Sequence, residues 1–288
     1  SQDRPQPLRA AQRLGSVLGE GLFWGVRRYR EVARRNLRAA FGWPEPRVEA
    51  VARQVFRNLG KSLVEFLRLP ALSPAELLDL CQLEGLEYLR AGLAAGRGVL
   101  IITAHYGNWE LIAARLVLEG VRLSVVARDA DDGATHRFIT RLREGCGYRV
   151  IPRRAAPRAV LEALRRNEVV AILVDQNTTQ GGQFVPFFGR TAATATGPAV
   201  LALRTEAALL PGFCVRLPDD RHVGRLEPPV TPFRTGDREA DVVELTAHLT
   251  RLIEAQVRAD PAQWLWIHDR WRYRPAEERV RGEVVVGR

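Results

Sequence analysis

A short apolar run followed at once by a helical pattern constrains the fold of this chain most strongly. Residues 99–103 are rich in β-branched side chains, which is typical of a strand buried on both faces. From Trp109 onward the apolar residues recur at helical spacing, and Asn108 stands at the position of a helix N-cap. The sequence therefore predicts a strand, a turn and a helix, with His105 and Glu110 in the strand-to-helix turn.

The same alternation of strands and helices continues along the chain. Further strands are predicted at 121–127, 148–151 and 169–174, separated by helices at 135–146 and 157–167. This order is typical of an α/β fold, layered, with a mixed, largely parallel sheet flanked by helices. The remaining elements are helices at 73–81, 83–95, 196–204 and 237–259, and a pair of strands at 209–217 and 222–226.

An N-terminal helical region precedes the sheet. Residues 25–41 and 47–69 carry apolar side chains at helical spacing, so we expect a membrane-proximal helical region at 1–72 and an α/β domain at 73–288. Arginines flank the apolar face of the first helix, as expected of a helix that lies on anionic lipid. An ordinary solvated helix packed on the domain explains the same pattern.

His105 and Glu110 suggest general-base chemistry. Two residues five apart on one continuous helix point about 140° apart, whereas a turn that contains Gly107 can bring them together. Glu110 would then accept a hydrogen bond from one imidazole nitrogen, while the other nitrogen takes a proton from a hydroxyl. Alternatively, His105 caps the helix and Glu110 favours its positive end, and a single H-x-x-x-x-E leaves both interpretations open.

Three ionisable residues each follow a predicted strand, namely His105, Arg128 and Asp175. Because sites gather at the carboxyl ends of parallel strands, we expect them to converge on one crevice. Arg128 suits a phosphate or a developing negative charge, although a surface salt bridge is the alternative. Asp175 would position Arg128 or an acceptor, or satisfy turn amides. Gln176 and Asn108 complete the candidate substrate-binding residues.

Four motifs occur in this order: T-A-H-Y-G-N-W-E at 103–110, V-D-Q-N at 174–177, V-P-F-F-G at 185–189 and W-L-W-I-H-D-R-W at 264–271. Together they resemble the bacterial lipid A biosynthesis acyltransferase family, to which mycobacterial phosphatidylinositol mannoside acyltransferases are similar. The resemblance runs from about Arg34 to about Arg272. It implies a glycerolphosphate acyltransferase-like fold, a loop at 185–189, and an Arg at position 128.

The resemblance also implies a reaction. A His105–Glu110 pair would act on an acyl thioester, carried by acyl carrier protein or coenzyme A, and on a hydroxyl of a phosphorylated or glycosylated lipid such as a lipid A-type acceptor. The thioester brings its own activation, so we expect no metal and no further cofactor. The alternative is a catalytically inactive module of the same fold that binds a membrane or acyl carrier protein.

The net charge of +10 indicates an anionic partner. Lys61 is the single lysine, so 42 of the 43 basic residues are arginine, which binds phosphate and carboxylate groups in a bidentate way. Membrane headgroups, an acidic carrier protein and a nucleic acid all fit, but the chain lacks the motifs of nucleic-acid readers, so we expect no nucleic acid as partner. A genome rich in Arg codons would explain the preference for arginine over lysine.

Cysteine content and hydropathy bear on the compartment. Cys81, Cys146 and Cys214 are widely spaced, which argues against a disulfide framework or a zinc site. No run approaches the roughly 18 apolar residues of a membrane span. The family normally carries an N-terminal membrane anchor, which we expect to be removed or very short here, with 14–26 as its remnant. We expect a monomer at the cytoplasmic face of the inner membrane.

The sequence leaves the role of two groups of aromatic residues open. Trp264, Trp266 and Trp271 would pack the core or lie at a bilayer interface, where indole is favoured. Phe187 and Phe188 would contact an acyl tail or belong to the core.

Overall fold

The computed structural model describes residues 6–127, 133–178 and 182–275 of the chain. Its strands are β1 (Cys81–Glu84), β2 (Val99–Thr103), β3 (Leu123–Ala127), β4 (Arg149–Pro152), β5 (Val169–Leu173), β6 (Gly182–Phe187), β7 (Arg190–Ala195), β8 (Ala208–Arg216) and β9 (His222–Leu226). Its α-helices are α1 (Gln6–Gly25), α2 (Arg27–Phe41), α3 (Glu45–Arg68), α4 (Pro74–Leu80), α5 (Leu86–Ala94), α6 (Trp109–Leu118), α7 (Gly133–Gly145), α8 (Ala156–Arg165), α9 (Gly197–Thr205) and α10 (Arg238–Ala259).

Seven strands form one sheet in the order β1-β9-β8-β2-β5-β3-β4. Strands β2, β3, β4, β5 and β8 run in the same direction, whereas β9 pairs with β8 in the antiparallel sense and carries β1 beside it. Helices cover both faces, so the predicted α/β architecture with a largely parallel sheet is confirmed.

Strand β2 lies at the centre of this sheet between β5 and β8, and all five of its residues are buried. Its side chains alternate between two apolar clusters, with Leu100 and Ile102 on one face and Val99 and Ile101 on the other. The predicted central strand, buried on both faces, is confirmed at its predicted bounds. The position of every group that follows Thr103 is therefore fixed by the interior of the sheet.

Residues 81–84 form a strand where the sequence predicts parts of two helices. The predicted N-cap of the preceding helix is confirmed, since Ser73 and Glu76 form a complete capping box, but α4 ends at Leu80. Residues 81–84 then pair in parallel with β9 at the edge of the sheet. The helix predicted from residue 83 begins only at Leu86, because pairing with a distant strand outweighs the local helical pattern.

Residues 182–195 form a second two-stranded sheet instead of the predicted loop. Strands β6 and β7 pair in antiparallel register from Gly182 with Ala195 to Phe187 with Arg190. The turn between them places Phe188 and Gly189 at positive φ angles of 52° and 68°. This hairpin packs against α10 and brings two phenylalanines into the core.

The five aromatic side chains whose role the sequence leaves open belong to the core. Trp264, Trp266, Trp271, Phe187 and Phe188 are all at most 5% exposed and contact one another edge to face or at a tilt. Their predicted packing role is confirmed, and the alternative of a bilayer-facing tryptophan belt is wrong for these residues.

Helices α1 and α3 pack unusually closely because glycine lines their contact. A Cβ atom on Gly19 would lie 2.1 Å from the carbonyl oxygen of Phe56, and one on Gly60 would lie 2.0 Å from that of Gly15. Glu20 faces the same side, where its carboxylate pairs with Arg53 and Arg57. The glycines and the acid of this segment therefore serve helix packing. None of the described helices is both long and apolar enough to span a membrane, and the division at residues 72 and 73 stays a prediction.

Candidate active site

The register between two central strands brings His105 and Asp175 together. Strands β2 and β5 pair in parallel with a constant offset of 70 residues, from Val99 with Val169 to Thr103 with Leu173. Two residues beyond the last pair, the same offset places His105 beside Asp175. The expectation that these two residues converge at the carboxyl ends of the strands is confirmed.

Asp175 holds His105 by two hydrogen bonds. The His105 ring nitrogen Nδ1 lies 2.8 Å from Asp175 Oδ1, and the His105 backbone N–H donates to Asp175 Oδ2 at 2.9 Å. Because an ionised carboxylate can only accept, Nδ1 carries the proton in this contact and Nε2 of the neutral ring is left as an acceptor. Nε2 is therefore the nitrogen that can take a proton from a substrate.

Both oxygens of the Asp175 carboxylate accept hydrogen bonds within the protein. Asp175 is 3% exposed and also accepts a hydrogen bond of 2.7 Å from Trp264 Nε1. Burial by itself raises the pKa of Asp175, but the imidazole and the three donors outweigh burial and lower it, so the group stays ionised. The predicted role of Asp175 in binding substrate is corrected to that of orienting His105. Sequence reasoning missed Trp264, although a buried indole N–H needs an acceptor.

The predicted hydrogen bond between Glu110 and the imidazole is wrong. Glu110 lies in the first turn of α6, and its carboxylate accepts from Arg143 Nη2 at 2.6 Å, Tyr148 Oη at 2.7 Å and Trp109 Nε1 at 3.0 Å. The helix directs Glu110 towards α7 and β4, while Asp175 already occupies His105 Nδ1. Burial and the charge of Glu110 raise the pKa of Tyr148, which keeps the hydroxyl a donor.

The remaining predicted site residues are Asn108, Gln176 and Arg128. Asn108 is 2% exposed, caps α6 by accepting from Leu111 N at 3.2 Å and donates to Glu65, so the prediction that it binds substrate is wrong. Gln176 lines the cavity beside His105, with its Nε2 3.5 Å from the ring Nε2. Arg128 lies outside the described residues.

His105 stands at a cavity of about 620 Å³ that Glu110 also lines. This volume falls within the range of small-molecule sites. One half of the cavity is apolar and buried between the sheet and α6, where it is lined by Ile101, Ile112, Ala113, Leu116, Leu123, Val125 and Ala171. The other half lies between the opposite face of the sheet and helices α8 and α9, where Leu161, Ile172, Val200 and Leu201 line it.

Polar side chains of the same cavity come from several elements. They include Arg143, Arg153, Arg204, Gln176 and Asn177. Asn177 contacts His268, whose Nε2 lies 3.0 Å from Asn177 Oδ1. In the described parts of the chain, no group of three or more His, Cys, Asp or Glu residues is placed to hold a metal ion.

The turn that carries His105 requires glycine at one position. Gly107 has a φ angle of +58°, and a Cβ atom there would lie 1.7 Å from the carbonyl oxygen of Cys214. The Gly107 N–H donates to Gln263 O at 2.9 Å, and Leu265 N–H donates to His105 O at 3.1 Å. The segment after α10 therefore holds the turn from one side, which rigidifies the site.

Comparison with known proteins agrees with the family resemblance. The model of the bacterial lipid A biosynthesis acyltransferase family matches residues 4–273. A phosphatidylinositol mannoside acyltransferase of Mycobacterium tuberculosis is 32% identical over 84% of this chain and 77% of its own. A protein of the same name from Mycolicibacterium smegmatis is 27% identical over 94% and 91%. A lipid A biosynthesis palmitoleoyltransferase of Escherichia coli is 28% identical over 92% and 86%.

Proposed function

The chain belongs to the bacterial lipid A biosynthesis acyltransferase family and is an acyltransferase of lipid A or phosphatidylinositol mannoside type, and from this premise we propose that His105 and Asp175 move a fatty acyl chain from a thioester to a hydroxyl of a glycolipid. The observation that carries the proposal is the His105–Asp175 pair, whose imidazole lines a largely apolar cavity. We also propose a glycerolphosphate acyltransferase-like arrangement of strand, turn and helix around His105.

The reaction requires one proton to move twice. Nε2 of His105 takes the proton of the acceptor hydroxyl as its oxygen forms a bond to the thioester carbonyl carbon, and Asp175 stabilises the imidazolium that results. The tetrahedral intermediate then collapses, the carbon–sulfur bond breaks, and the imidazolium returns the proton to the thiolate. The products are an ester and a free thiol, so no metal or prosthetic group enters the balance.

The two halves of the cavity suit the two substrates. The part of the cavity between the sheet and α6 is lined mainly by apolar side chains beyond Glu110 and Arg143, so it would hold the hydrocarbon chain of the donor, whether carried by acyl carrier protein or coenzyme A. The acceptor would approach from the opposite side of His105. Gln176 lies beside the ring and would bind a substrate oxygen. Arg128 would bind phosphate or the developing oxyanion.

The exposed surface of α1 supports the proposal that the protein acts at a membrane. Five of its large apolar side chains are 47–68% exposed, namely Leu14, Val17, Leu18, Leu22 and Trp24. Exposed arginines flank them at Arg13, Arg27 and Arg28. An apolar helix face with basic flanks is the form expected of a protein that lies on anionic lipid. We propose that the enzyme acts as a monomer at the cytoplasmic face of the inner membrane.

The decisive experiment compares His105→Ala with the wild-type protein. Purified protein would receive long-chain acyl-coenzyme A or acyl carrier protein, with a phosphatidylinositol mannoside or a lipid A precursor as acceptor, and both free thiol and acylated lipid would be measured. We expect His105→Ala to lower kcat by about 10²–10⁴-fold, the range of a lost general base. His248→Ala, on the distant helix α10, is the control that should keep its kcat.

Two outcomes would overturn the proposal. Unchanged turnover in His105→Ala would exclude the imidazole as base. Tight binding of donor or lipid by wild-type protein, with no thiol released from any donor, would favour the inactive binding module instead.

A further inference from the structure

A buried carboxylate in the N-terminal helical region contacts the turn that carries His105. Glu65 of α3 is 2% exposed and accepts hydrogen bonds from three residues far apart in the sequence. Gln12 Nε2 donates at 2.9 Å, Asn108 Nδ2 at 2.8 Å, and Arg216 donates through Nη1 and Nη2 at 2.7 and 2.8 Å. Helix α1, helix α3, the start of α6 and the end of β8 therefore meet at one carboxylate.

The charge of Glu65 is balanced by Arg216. Burial by itself raises the pKa of Glu65, but the charge and hydrogen bonds of Arg216 outweigh it and lower the pKa to about 2. His222 lies near, with its Nε2 3.6 Å from Glu65 Oε2, but burial and the charge of Arg216 lower its pKa to about 4. At neutral pH the ionised Glu65 and Arg216 therefore pair beside a neutral His222, and Arg216 Nη1 also lies 3.5 Å from Asp220 Oδ1.

Two side chains of α3 hold the His105 turn at successive residues. Ser62 Oγ donates to Gly107 O at 3.1 Å, while Glu65 accepts from Asn108 Nδ2, and Asn108 Oδ1 caps α6. Ser62 and Glu65 are three residues apart and so share one face of the helix. Helix α3 therefore holds the turn together with Gln263 and Leu265.

An ion pair buried only for stability would not need the contacts that Glu65 and Ser62 make with the His105 turn. Well-packed apolar residues replace buried ion pairs with little or no loss of stability. Here the second oxygen of Glu65 is shared between Arg216 and the amide of Asn108, three residues from the proposed base. A displacement of about 1 Å at a reacting group can lower a rate about 10²-fold, so rigidity at this turn has a direct chemical consequence.

We propose that Glu65 is a positioning residue for His105, which acts through Asn108 and together with Ser62, so that the N-terminal helical region sets the geometry of the base. The inference rests on the proposed function, in which His105 is that base. It assigns a role in turnover to α3, a helix that contributes no residue to the cavity lining.

The test uses three variants, and circular dichroism checks that each of them keeps the fold. Asn108→Ser retains an N-cap but cannot reach Glu65. Ser62→Ala removes the contact with Gly107 O, and Glu65→Leu combined with Arg216→Met removes the whole ion pair without leaving a buried charge. Arg57→Gln is the matched control, since Arg57 lies on the same helix and pairs with Glu20 of α1.

We expect each of the three variants to lower kcat by about tenfold or more while KM for donor and acceptor changes less than about twofold. Asn108→Ser added to the Glu65→Leu/Arg216→Met protein should cost little more, because both remove the same contact. Arg57→Gln should keep the wild-type kcat. Unchanged kcat in the three variants, or fully additive losses, would overturn the proposal.

A spectroscopic measurement separates this proposal from the proposed function. In histidine-labelled protein, ¹⁵N NMR distinguishes the two neutral tautomers, and His105→Ala identifies the signal of His105 among five histidines. We expect a single Nδ1–H form in the wild-type protein and a mixture in Asn108→Ser and Ser62→Ala. An unchanged spectrum would refute positioning by α3 even in an active enzyme, whereas turnover by His105→Ala would refute the function and not the positioning.

Discussion

At the scale of single residues, the site depends on which nitrogen of His105 carries the proton. Asp175 faces three N–H donors, from the His105 ring, the His105 backbone and Trp264. A carboxylate satisfies all three and leaves Nε2 free to accept. An amide in its place has only one acceptor atom, and its own N–H group must face one of the donors.

The substitution Asp175→Asn therefore tests the tautomer. If the amide oxygen accepts from the His105 backbone and Trp264, the amide nitrogen faces Nδ1 and favours the ring with its proton on Nε2, which cannot act as base. We expect kcat to fall by about 10²–10⁴-fold with a smaller change in KM. Steady-state acyl transfer measures this, and circular dichroism checks the fold.

Asp269→Asn is the matched control for this change. Asp269 is the neighbouring acidic residue in the same region, but its carboxylate is partly exposed and pairs with Arg35. It should keep the wild-type kcat. A kcat for Asp175→Asn within about threefold of the wild-type value would contradict the assigned role of Asp175.

The sequence was sufficient to place His105 but not to identify its partner. His105 directly follows a strongly apolar strand, so its position at the strand end follows from local pattern. Asp175 is 70 residues away, and its contact depends on the register of β2 with β5, which no local pattern reports. Glu110 was the nearer carboxylate in sequence, but the first turn of α6 directs it to Arg143 and Tyr148.

At the scale of elements, local pattern predicted those parts of the fold that make local contacts. Most helices and the central strands agree with expectation because their apolar spacing is strong, but α1 (Gln6–Gly25) was not predicted as a helix. The strand at Cys81–Glu84 and the hairpin of Gly182–Phe187 with Arg190–Ala195 were missed. The strand at Cys81–Glu84 depends on its pairing with β9, which is distant in the sequence. The hairpin depends on the pairing of its two strands across a turn with positive φ angles.

Helix α6 forms one wall of the buried half of the cavity, so its residues should set the length of acyl chain that fits. Ala113 lies on the lining face between Glu110 and Leu116. Ala113→Leu would fill space that a hydrocarbon chain could occupy. Burial of each methylene stabilises binding by about 0.8 kcal/mol, so loss of room for two methylenes lowers kcat/KM for the longer chain by about tenfold. We expect the ratio of kcat/KM for the longest accepted chain to that for a chain two methylenes shorter to fall by about tenfold.

Competition between acyl donors of different length in one assay measures this ratio directly. Ala114→Leu is the matched control, because Ala114 is equally buried on the same helix but does not line the cavity. It should lower stability by a similar amount and leave the preference for chain length unchanged. The same preference in both variants and the wild type would place the acyl chain elsewhere.

At the scale of the whole molecule, the positive charge and the apolar face of α1 lead to one prediction about binding. The chain carries +10 net charge, and Val17 and Leu18 are 68% and 47% exposed on α1 between flanking arginines. Burial of such side chains in the lipid interface stabilises binding by about 1.5–3 kcal/mol each when complete. We expect Val17→Ser/Leu18→Ser to weaken binding to vesicles that contain phosphatidylglycerol by at least about tenfold, as measured by co-sedimentation.

The two contributions to vesicle binding differ in their response to salt. Attraction between arginines and anionic lipid is screened over about 8 Å at physiological ionic strength, whereas the apolar contribution is not. Added salt should therefore weaken binding of the wild type and of Val17→Ser/Leu18→Ser by the same factor, because the arginines are retained in both. Leu78→Ser, which removes an equally exposed leucine from α4, should bind as the wild type does. Equal binding by all three proteins would show that α1 does not contact the lipid, and the glycolipid acceptor would then have to reach His105 by another face of the molecule.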